Sequence, residues 1–207
     1  MKSNEVKYES CDYYARRGNA VFRNFFDNTY PNTPKEYIEP DDCHSLYDIQ
    51  MNMTSPTTGR NVTYYCEVKF KFNKVFYDDF TFITQKKVNE INEFMKDKDK
   101  EHEKFLYFIY YPMIGKSVMF DLTHEREYAI RIERNWSATA NLTDIQPTII
   151  DVKMCLLPMC DRGFCKIRDF RSSVAVKFNN KTYLYGNEIN PKKMDLRFDC
   201  ENNICIM

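Results

Sequence analysis

Residues 105–111, with the sequence FLYFIYY, form an unbroken run of apolar and aromatic side chains in this chain of 207 residues. The run is far shorter than the roughly 20 residues that a membrane-spanning helix needs, so we expect no contact with a membrane. A strand with two apolar faces is typical of the centre of a sheet that carries helices. The run therefore predicts an α/β fold in which this segment is a buried central strand.

Two amphipathic patterns predict the helices that flank this sheet. The first extends from roughly Tyr8 to Thr29 and stops before Pro31. The second extends from about Thr84, a residue type that favours the start of a helix, to Lys96. In both patterns apolar residues recur every three or four positions, as they do on one face of a helix.

Two segments between the helices, residues 45–53 and 62–72, predict a pair of strands. Apolar and polar side chains alternate along each segment, which is the pattern of a strand with one buried face. The residues between them include Ser, Pro and Gly, which supply a turn. If the strands are antiparallel and both apolar faces point into one core, closing this turn pairs Met53 with Val62.

Counting back along both strands in this register places two carboxylates face to face, those of Asp48 and Glu67. Lys69 projects from the same face as Glu67. Like charges opposite one another destabilise a sheet, so the pair predicts a compensating cation. Mg²⁺ or Mn²⁺ fits, because Mg²⁺ binds a few carboxylate oxygens and leaves positions for phosphate oxygens. Such a metal lowers the pKa of a bound water, and the Lys69 ammonium would hold that water or the developing negative charge. The three side chains therefore predict a hydrolytic site for phosphodiesters.

The order of these segments resembles the PD-(D/E)xK nuclease superfamily, with the nearest likeness to nucleases of the Holliday-junction-resolvase type. The likeness covers roughly residues 8–122, in the order helix, strand with Asp, strand with Glu-x-Lys, helix and strand. The corresponding pieces are ARRGNAVFRNFF, LYDIQM, YYCEVKFKF, TQKKVNEINEFM and KFLYFIYY. The resemblance implies a restriction-endonuclease-like mixed sheet flanked by helices.

The same resemblance implies a Mg-dependent endo- or exodeoxyribonuclease whose partner is DNA, and by analogy with resolvases a homodimer. Asp48 and Glu67 would be metal ligands, the backbone carbonyl of Val68 would complete the shell, and Lys69 would be the catalytic lysine. Relatives often place polar residues that face the metal or the scissile phosphate at the start of the next helix. The residues at those positions are Gln85, Lys86 and Lys87.

Two departures from the family pattern leave alternatives open. Relatives commonly provide an acidic residue from the first helix, whereas the matching stretch after Gly18 offers Phe22 and Arg23, and Glu9 lies a few turns upstream. Asp41 and Asp42 are alternatives to Asp48 as the metal-binding acid, but they follow a proline in a turn-like stretch. The missing helix acid makes a catalytically inactive nuclease-fold module, which binds nucleic acid or protein, the alternative function.

Residues 147–207 predict a β-rich extension to a nuclease-like core of residues 1–146. The extension includes two predicted hairpins, one of which turns at Asn179 and Asn180. Its cysteines recur at intervals that lie at the edge of the spacing in zinc sites, so a structural zinc site and buried thiols are both open. These cysteines are Cys155, Cys160, Cys165, Cys200 and Cys205.

The overall charge excludes a polycationic protein that coats nucleic acid through its whole surface. Thirty Lys and Arg residues balance thirty Asp and Glu residues, so the formal net charge is zero. Phosphate contacts dominate affinity for nucleic acid, so a DNA-cleaving enzyme of this composition would need a local basic rim. The N-terminal residues lack the apolar run of about 7 to 15 residues that a secretion signal contains, and we therefore expect a cytoplasmic protein.

Overall fold

The computed structural model of this chain describes residues 2–42, 45–74, 80–125, 129–132, 153–158, 165–193, 197–199 and 204–206. Within these ranges the helices are α1 (Lys2–Thr29), α2 (Gln85–Met95) and a short 3₁₀ helix (Pro191–Lys193). The strands are β1 (Lys35–Ile38), β2 (Ile49–Thr54), β3 (Asn61–Phe70), β4 (Phe80–Thr84), β5 (Glu103–Tyr111), β6 (Lys116–Asp121), β7 (Ala129–Ile132), β8 (Lys153–Pro158), β9 (Cys165–Asp169), β10 (Val176–Phe178), β11 (Lys181–Leu184), β12 (Asn187–Ile189), β13 (Arg197–Asp199) and β14 (Ile204–Ile206). Together they make a mixed α/β fold, as the sequence predicts.

The main sheet has six strands in the order β1, β2, β3, β5, β6 and β9. The first three strands are antiparallel neighbours, whereas β3 and β5 are parallel. Parallel neighbours need a crossover connection, and α2 lies in the connection between β3 and β5. The sheet is therefore mixed, because the crossover through α2 lets β5 run in the same direction as β3.

Helix α1 covers one face of the main sheet. Phe22 and Phe25 are buried and pack against Phe108 of β5 at ring-centroid distances of 5.7 and 5.2 Å. Gly18 lies against Val68 of β3 so closely that an added Cβ would come within 3.1 Å of a Val68 methyl group. A residue with a side chain at position 18 would push the helix away from the sheet at this point.

Helix α2 covers the opposite face. Val88, Ile91 and Met95 are buried in a second core together with Phe105 and Tyr107 of β5. The central strand is therefore buried on both faces, which confirms the prediction from its unbroken apolar run. None of the helices in the described ranges is long and apolar enough to cross a membrane.

The predicted register of the strand pair is also confirmed. Met53 pairs with Val62, and the ladder continues back to the pair of Ile49 and Cys66. Ile49, Met51 and Met53 are buried on the face that α1 covers. Alternation along both strands specifies this register, because a slip of one residue would expose the whole apolar set.

The chain after residue 147 forms both of the predicted hairpins, β10 with β11 and β13 with β14. Asn179 and Asn180 have φ angles of 47° and 61°, which suits the tight turn between the first two strands. β9 pairs with β6 at the edge of the main sheet, and β8 pairs with both β4 and β7. Strands on the two sides of residue 147 thus share sheets, and the predicted division into two domains stays a prediction.

Candidate active site

Asp48 lies immediately before β2 and is held by two parts of the fold, β3 and α1. Its amide donates a hydrogen bond to the Cys66 carbonyl at 2.9 Å, and its carbonyl accepts one from Nδ2 of Asn19 at 3.1 Å. Its carboxylate oxygen Oδ2 accepts a hydrogen bond from the Val68 amide at 2.7 Å. These bonds fix the carboxylate on β3, next to Glu67.

Glu67 is a buried carboxylate that two ammonium groups contact. Only 6% of the residue is exposed. Lys69 Nζ lies 2.5 Å from Oε1 of Glu67, and Lys87 Nζ lies 2.9 Å from Oε2. Lys87 also donates a hydrogen bond to the Leu46 carbonyl at 2.7 Å, which ties α2 to the segment before Asp48.

The two carboxylates interact strongly with each other and with these lysines. Burial and the negative charge of Glu67 raise the pKa of Asp48, while Lys69, the Val68 hydrogen bond and Lys87 oppose the rise. Burial by itself would lower the pKa of Lys69, but Glu67 and Asp48 outweigh it and raise that pKa above the ordinary value. Lys69 is therefore an ammonium at every pH at which the protein is expected to work.

The sequence placed Asp48 opposite Glu67, and the structure places it one residue beyond the last pair of the ladder. There its amide bonds to Cys66 rather than to Glu67, while its side chain takes the Val68 amide. The sequence predicted a divalent cation as the compensating charge, and that cation stays a prediction; in the structure two ammonium groups contact Glu67. The like-charge pair is thus balanced within the protein's own side chains.

The residues predicted to face the metal or phosphate at the start of α2 lie in different surroundings. Gln85 is the first residue of the helix. Lys86 points away from the carboxylates, with 87% of its side chain exposed and Glu90 as its partner at 3.7 Å. Lys87, by contrast, contacts Glu67 directly.

The two alternative acids before β2 are exposed in the turn that precedes it. Asp41 and Asp42 both lie on the surface, and Asp42 accepts a hydrogen bond from the Ser45 amide through its carbonyl. Asp48 is the acid whose carboxylate β3 holds. The geometry therefore favours Asp48, the residue that strand alternation selected.

Sequence reasoning missed Asn19, the residue of α1 that contacts Asp48. Asn19 is 5% exposed, and its Oδ1 has no hydrogen-bond partner among the residues that the structure describes. Glu9 lies ten positions earlier on the same helix, which is about 15 Å along the helix axis. The one available signal was Gly18, since a glycine inside a helix permits a close approach to a strand.

The cysteines of the predicted zinc site fall partly within the described ranges. Cys155 lies in β8, Cys165 in β9 and Cys205 in β14, and these strands belong to three different sheets. Cys160 and Cys200 lie outside the described residues. The zinc site stays a prediction.

The donor set at Asp48 and Glu67 fits a hard divalent cation. The charges of the two carboxylates interact, and the carbonyl of Val68 is directed to the same side as the Val68 amide, because the amide and carbonyl of one strand residue point to the same neighbour. No group of three or more His, Cys, Asp or Glu residues gathers anywhere in the described part of the chain. Water would therefore complete the shell, which is usual for Mg²⁺.

Comparisons with protein-family models, with curated proteins and with solved structures give no match for this chain. The fold and the site define it as a mixed α/β protein with a buried glutamate that two lysines contact and a part-buried aspartate beside it.

Proposed function

We propose that this protein is a metal-dependent nuclease that hydrolyses phosphodiester bonds in DNA. The observation that carries the proposal is the hydrogen bond between the Val68 amide and Asp48, which holds this carboxylate beside Glu67 and Lys69. An acid, a second acid and an amine on adjoining strands are the groups that such a hydrolysis requires.

The topology of the main sheet supports the same proposal. Helix α1 is followed by the antiparallel strands β1 to β3, then by the crossover with α2, and then by β5 parallel to β3. This order resembles the restriction-endonuclease-like core of PD-(D/E)xK nucleases. The resemblance implies an Asp in one strand and a Glu-x-Lys motif in the next; Asp48 lies one residue before β2, and Glu67 and Lys69 lie in β3.

Three groups would hold Mg²⁺ or Mn²⁺, namely the carboxylates of Asp48 and Glu67 and the carbonyl of Val68. When bound, the metal supplies Lewis-acid stabilisation of the phosphoryl oxygens and lowers the pKa of a water molecule. Asn19 and the Val68 amide keep Asp48 in place through its main chain and its side chain. Such support orients a ligand before the metal arrives.

Lys69 is the residue that we assign to the developing negative charge. Its ammonium stays protonated because of Glu67 and Asp48, and 46% of the side chain is exposed, so it can reach a phosphate oxygen from the surface. A charged donor placed where negative charge develops stabilises the transition state more than the ground state. Lys69 would orient the phosphodiester and offset its charge.

A second candidate function is a catalytically inactive nuclease-fold module that binds nucleic acid or protein. One observation favours it, namely that each carboxylate oxygen of Glu67 already contacts a lysine. An acid pair that lysines neutralise needs no metal for stability. The two candidates differ in whether the lysines give way to a divalent ion.

A cleavage assay tests the proposal. Purified protein is incubated with supercoiled plasmid, linear duplex and branched DNA in Mg²⁺ or Mn²⁺, beside Glu67→Gln, Lys69→Met and the surface control Lys86→Met. We expect cleavage by the wild type and by the Lys86 variant, and its loss in the other two. Cleavage that persists in the Glu67 and Lys69 variants would show that the site is elsewhere, and no cleavage of any substrate would favour the binding module.

A further inference from the structure

Glu67 has two oxygens, and each contacts a different ammonium. Oε1 contacts Lys69 of the same strand, and Oε2 contacts Lys87 of α2. The Glu67 side chain is only 8% exposed and that of Lys87 is 22% exposed. A divalent ion that binds Glu67 directly must therefore share an oxygen with one of these ammonium groups, against the repulsion of like charges, or displace it.

The charges of the cluster make this competition costly in the absence of substrate. Asp48 and Glu67 together carry two negative charges, and Lys69 and Lys87 carry two positive charges. A divalent cation would leave the partly buried cluster with an excess positive charge, which is unfavourable in a region of low dielectric. A phosphodiester supplies negative charge and an alternative acceptor for a displaced ammonium.

Lys87 is better placed than Lys69 to change partners. Its Nζ also holds the Leu46 carbonyl, so it can leave Glu67 and keep one hydrogen bond. Lys87 lines an open cavity of about 420 Å³, whose wall also holds Ser45, Leu46, Phe94 and two acids, Glu90 and Glu93. Lys86 contacts Glu90 at 3.7 Å and offsets one of these acids. The Lys87 side chain is 22% exposed at this opening, so a phosphate can approach its ammonium from solvent.

We propose that Lys87 couples metal binding to DNA binding. Without DNA it occupies Glu67 and weakens the affinity for the metal, and with DNA it moves to a backbone phosphate and releases Glu67 as a ligand. The coupling rests on the proposed function, since it concerns the same metal site. By linkage, the metal strengthens DNA binding by the same factor as DNA strengthens metal binding.

Mn²⁺ binding tests this coupling without any measurement of cleavage. Unbound Mn²⁺ is followed by its electron paramagnetic resonance signal, with and without a short duplex that carries phosphorothioate linkages, and binding to the duplex alone is subtracted. The proteins are the wild type, Lys87→Met and the matched control Lys86→Met, which removes an equal charge one position away. Lys87→Gln serves as a second neutral variant, and thermal melting confirms that each protein is folded.

For the wild type we expect the duplex to lower the Mn²⁺ dissociation constant by about fivefold or more, within the usual range of coupling between sites. Lys87→Met and Lys87→Gln should bind Mn²⁺ more tightly than the wild type without DNA and should respond little to the duplex. The Lys86 variant should behave as the wild type. The coupling would be overturned if the wild type bound Mn²⁺ equally well with and without the duplex, or if the Lys86 and Lys87 substitutions had equal effects. If the protein still cleaved DNA in that case, the proposed function would stand. Absence of both Mn²⁺ binding and cleavage would overturn both.

Discussion

The amide of Val68 donates a hydrogen bond to Oδ2 of Asp48 at 2.7 Å, across 20 positions of the chain. Asp48 stands just past the end of the ladder between β2 and β3, so its side chain takes the place of a main-chain partner for this amide. This hydrogen bond both satisfies an amide at the end of the ladder and holds the Asp48 carboxylate in position. It also brings that acid close to Glu67, whose negative charge, together with burial, raises the pKa of Asp48.

The raised pKa predicts that Asp48 reduces the stability of the metal-free protein at neutral pH. A carboxyl whose pKa is higher in the folded state binds protons more tightly there, so its contribution is favourable below the unfolded value of 3.8 and is lost as pH rises through the folded value. Asp48→Asn keeps an oxygen for the Val68 amide and removes the charge. We expect it to raise the free energy of unfolding at neutral pH, by an amount that shrinks on acidification. Urea unfolding over a series of pH values measures the difference, and a gap that widens toward acid pH would contradict the assignment.

The same group predicts the acid side of the pH profile of cleavage. Protonated Asp48 cannot act as a metal ligand, so cleavage and Mn²⁺ affinity should both fall at a pH above the ordinary Asp value of 3.8. On the alkaline side, deprotonation of Lys69 should not reduce cleavage at any pH up to 10.5, the ordinary pKa of a lysine. Burial lowers the pKa of Lys69 less than Glu67 and Asp48 raise it. Mn²⁺ affinity and cleavage rates at subsaturating metal, measured from acid to alkaline pH, check both limbs, because saturating metal would hold Asp48 deprotonated. An alkaline decline near neutrality that Lys69→Arg shifts would show that Lys69 titrates earlier than we infer.

Lys69→Met separates catalysis from metal binding. Loss of a charged donor in such a site typically costs about 10²- to 10³-fold in rate, so we expect cleavage to fall by at least about 100-fold. Mn²⁺ affinity should not fall, since the substitution removes a positive charge next to the metal ligands. Cleavage rates and Mn²⁺ titrations on the same preparation test the pair of outcomes. A variant that loses Mn²⁺ binding would place Lys69 in a structural role.

Asn19→Ala tests whether α1 positions Asp48. The substitution leaves the part-buried Asp48 carbonyl without its donor, and since the full cost for a buried group is about 1 to 3 kcal/mol, we expect a loss of about 1 kcal/mol. Asn28→Ala on the same helix is the control, because Asn28 donates to the Asn24 carbonyl at an exposed position and its loss should stay within about 0.5 kcal/mol. Chemical unfolding of both variants gives the comparison. Equal stability losses would mean that the Asn19 contact does not matter for the fold.

Gly186→Ala tests the contact between the turn after β5 and the turn after β11. Gly186 has a φ of 72°, and an added Cβ would lie 2.8 Å from the amide nitrogen of Gly115. Gly59 has a similar φ of 68° but nothing within 4 Å, so Gly59→Ala isolates the backbone cost of about 1 to 2 kcal/mol. We expect the Gly186 variant to lose more stability than the Gly59 variant. Melting temperatures that fall equally would show that the two turns separate easily.

The site shows which parts of the molecule could be predicted from local patterns. Strand alternation placed Asp48, Glu67 and Lys69 together because side chains in a strand repeat every two residues, and the turn between the strands left one register that buries Met51 and Met53. The helix that starts at Gln85 and the buried strand at 105–111 followed from apolar spacing in the same way.

Lys87 and Asn19 reach the acids for a different reason. Lys87 contacts Leu46 across 41 positions, and Asn19 contacts Asp48 across 29. Both contacts depend on the angle and depth at which a helix packs on the sheet, and no local periodicity specifies those quantities. β9 joined the main sheet for a comparable reason, since the edge of β6 offers unpaired amides and carbonyls to any strand that returns there.

The sequence by itself determined the helices, the paired strands, their register and the presence of two acids and an amine on one face, because each follows from the periodicity of neighbouring residues. The tertiary structure decided that a second lysine and a helix asparagine complete the cluster, because only the packing of α1 and α2 on opposite faces of the sheet brings side chains so distant in the chain to the same two carboxylates.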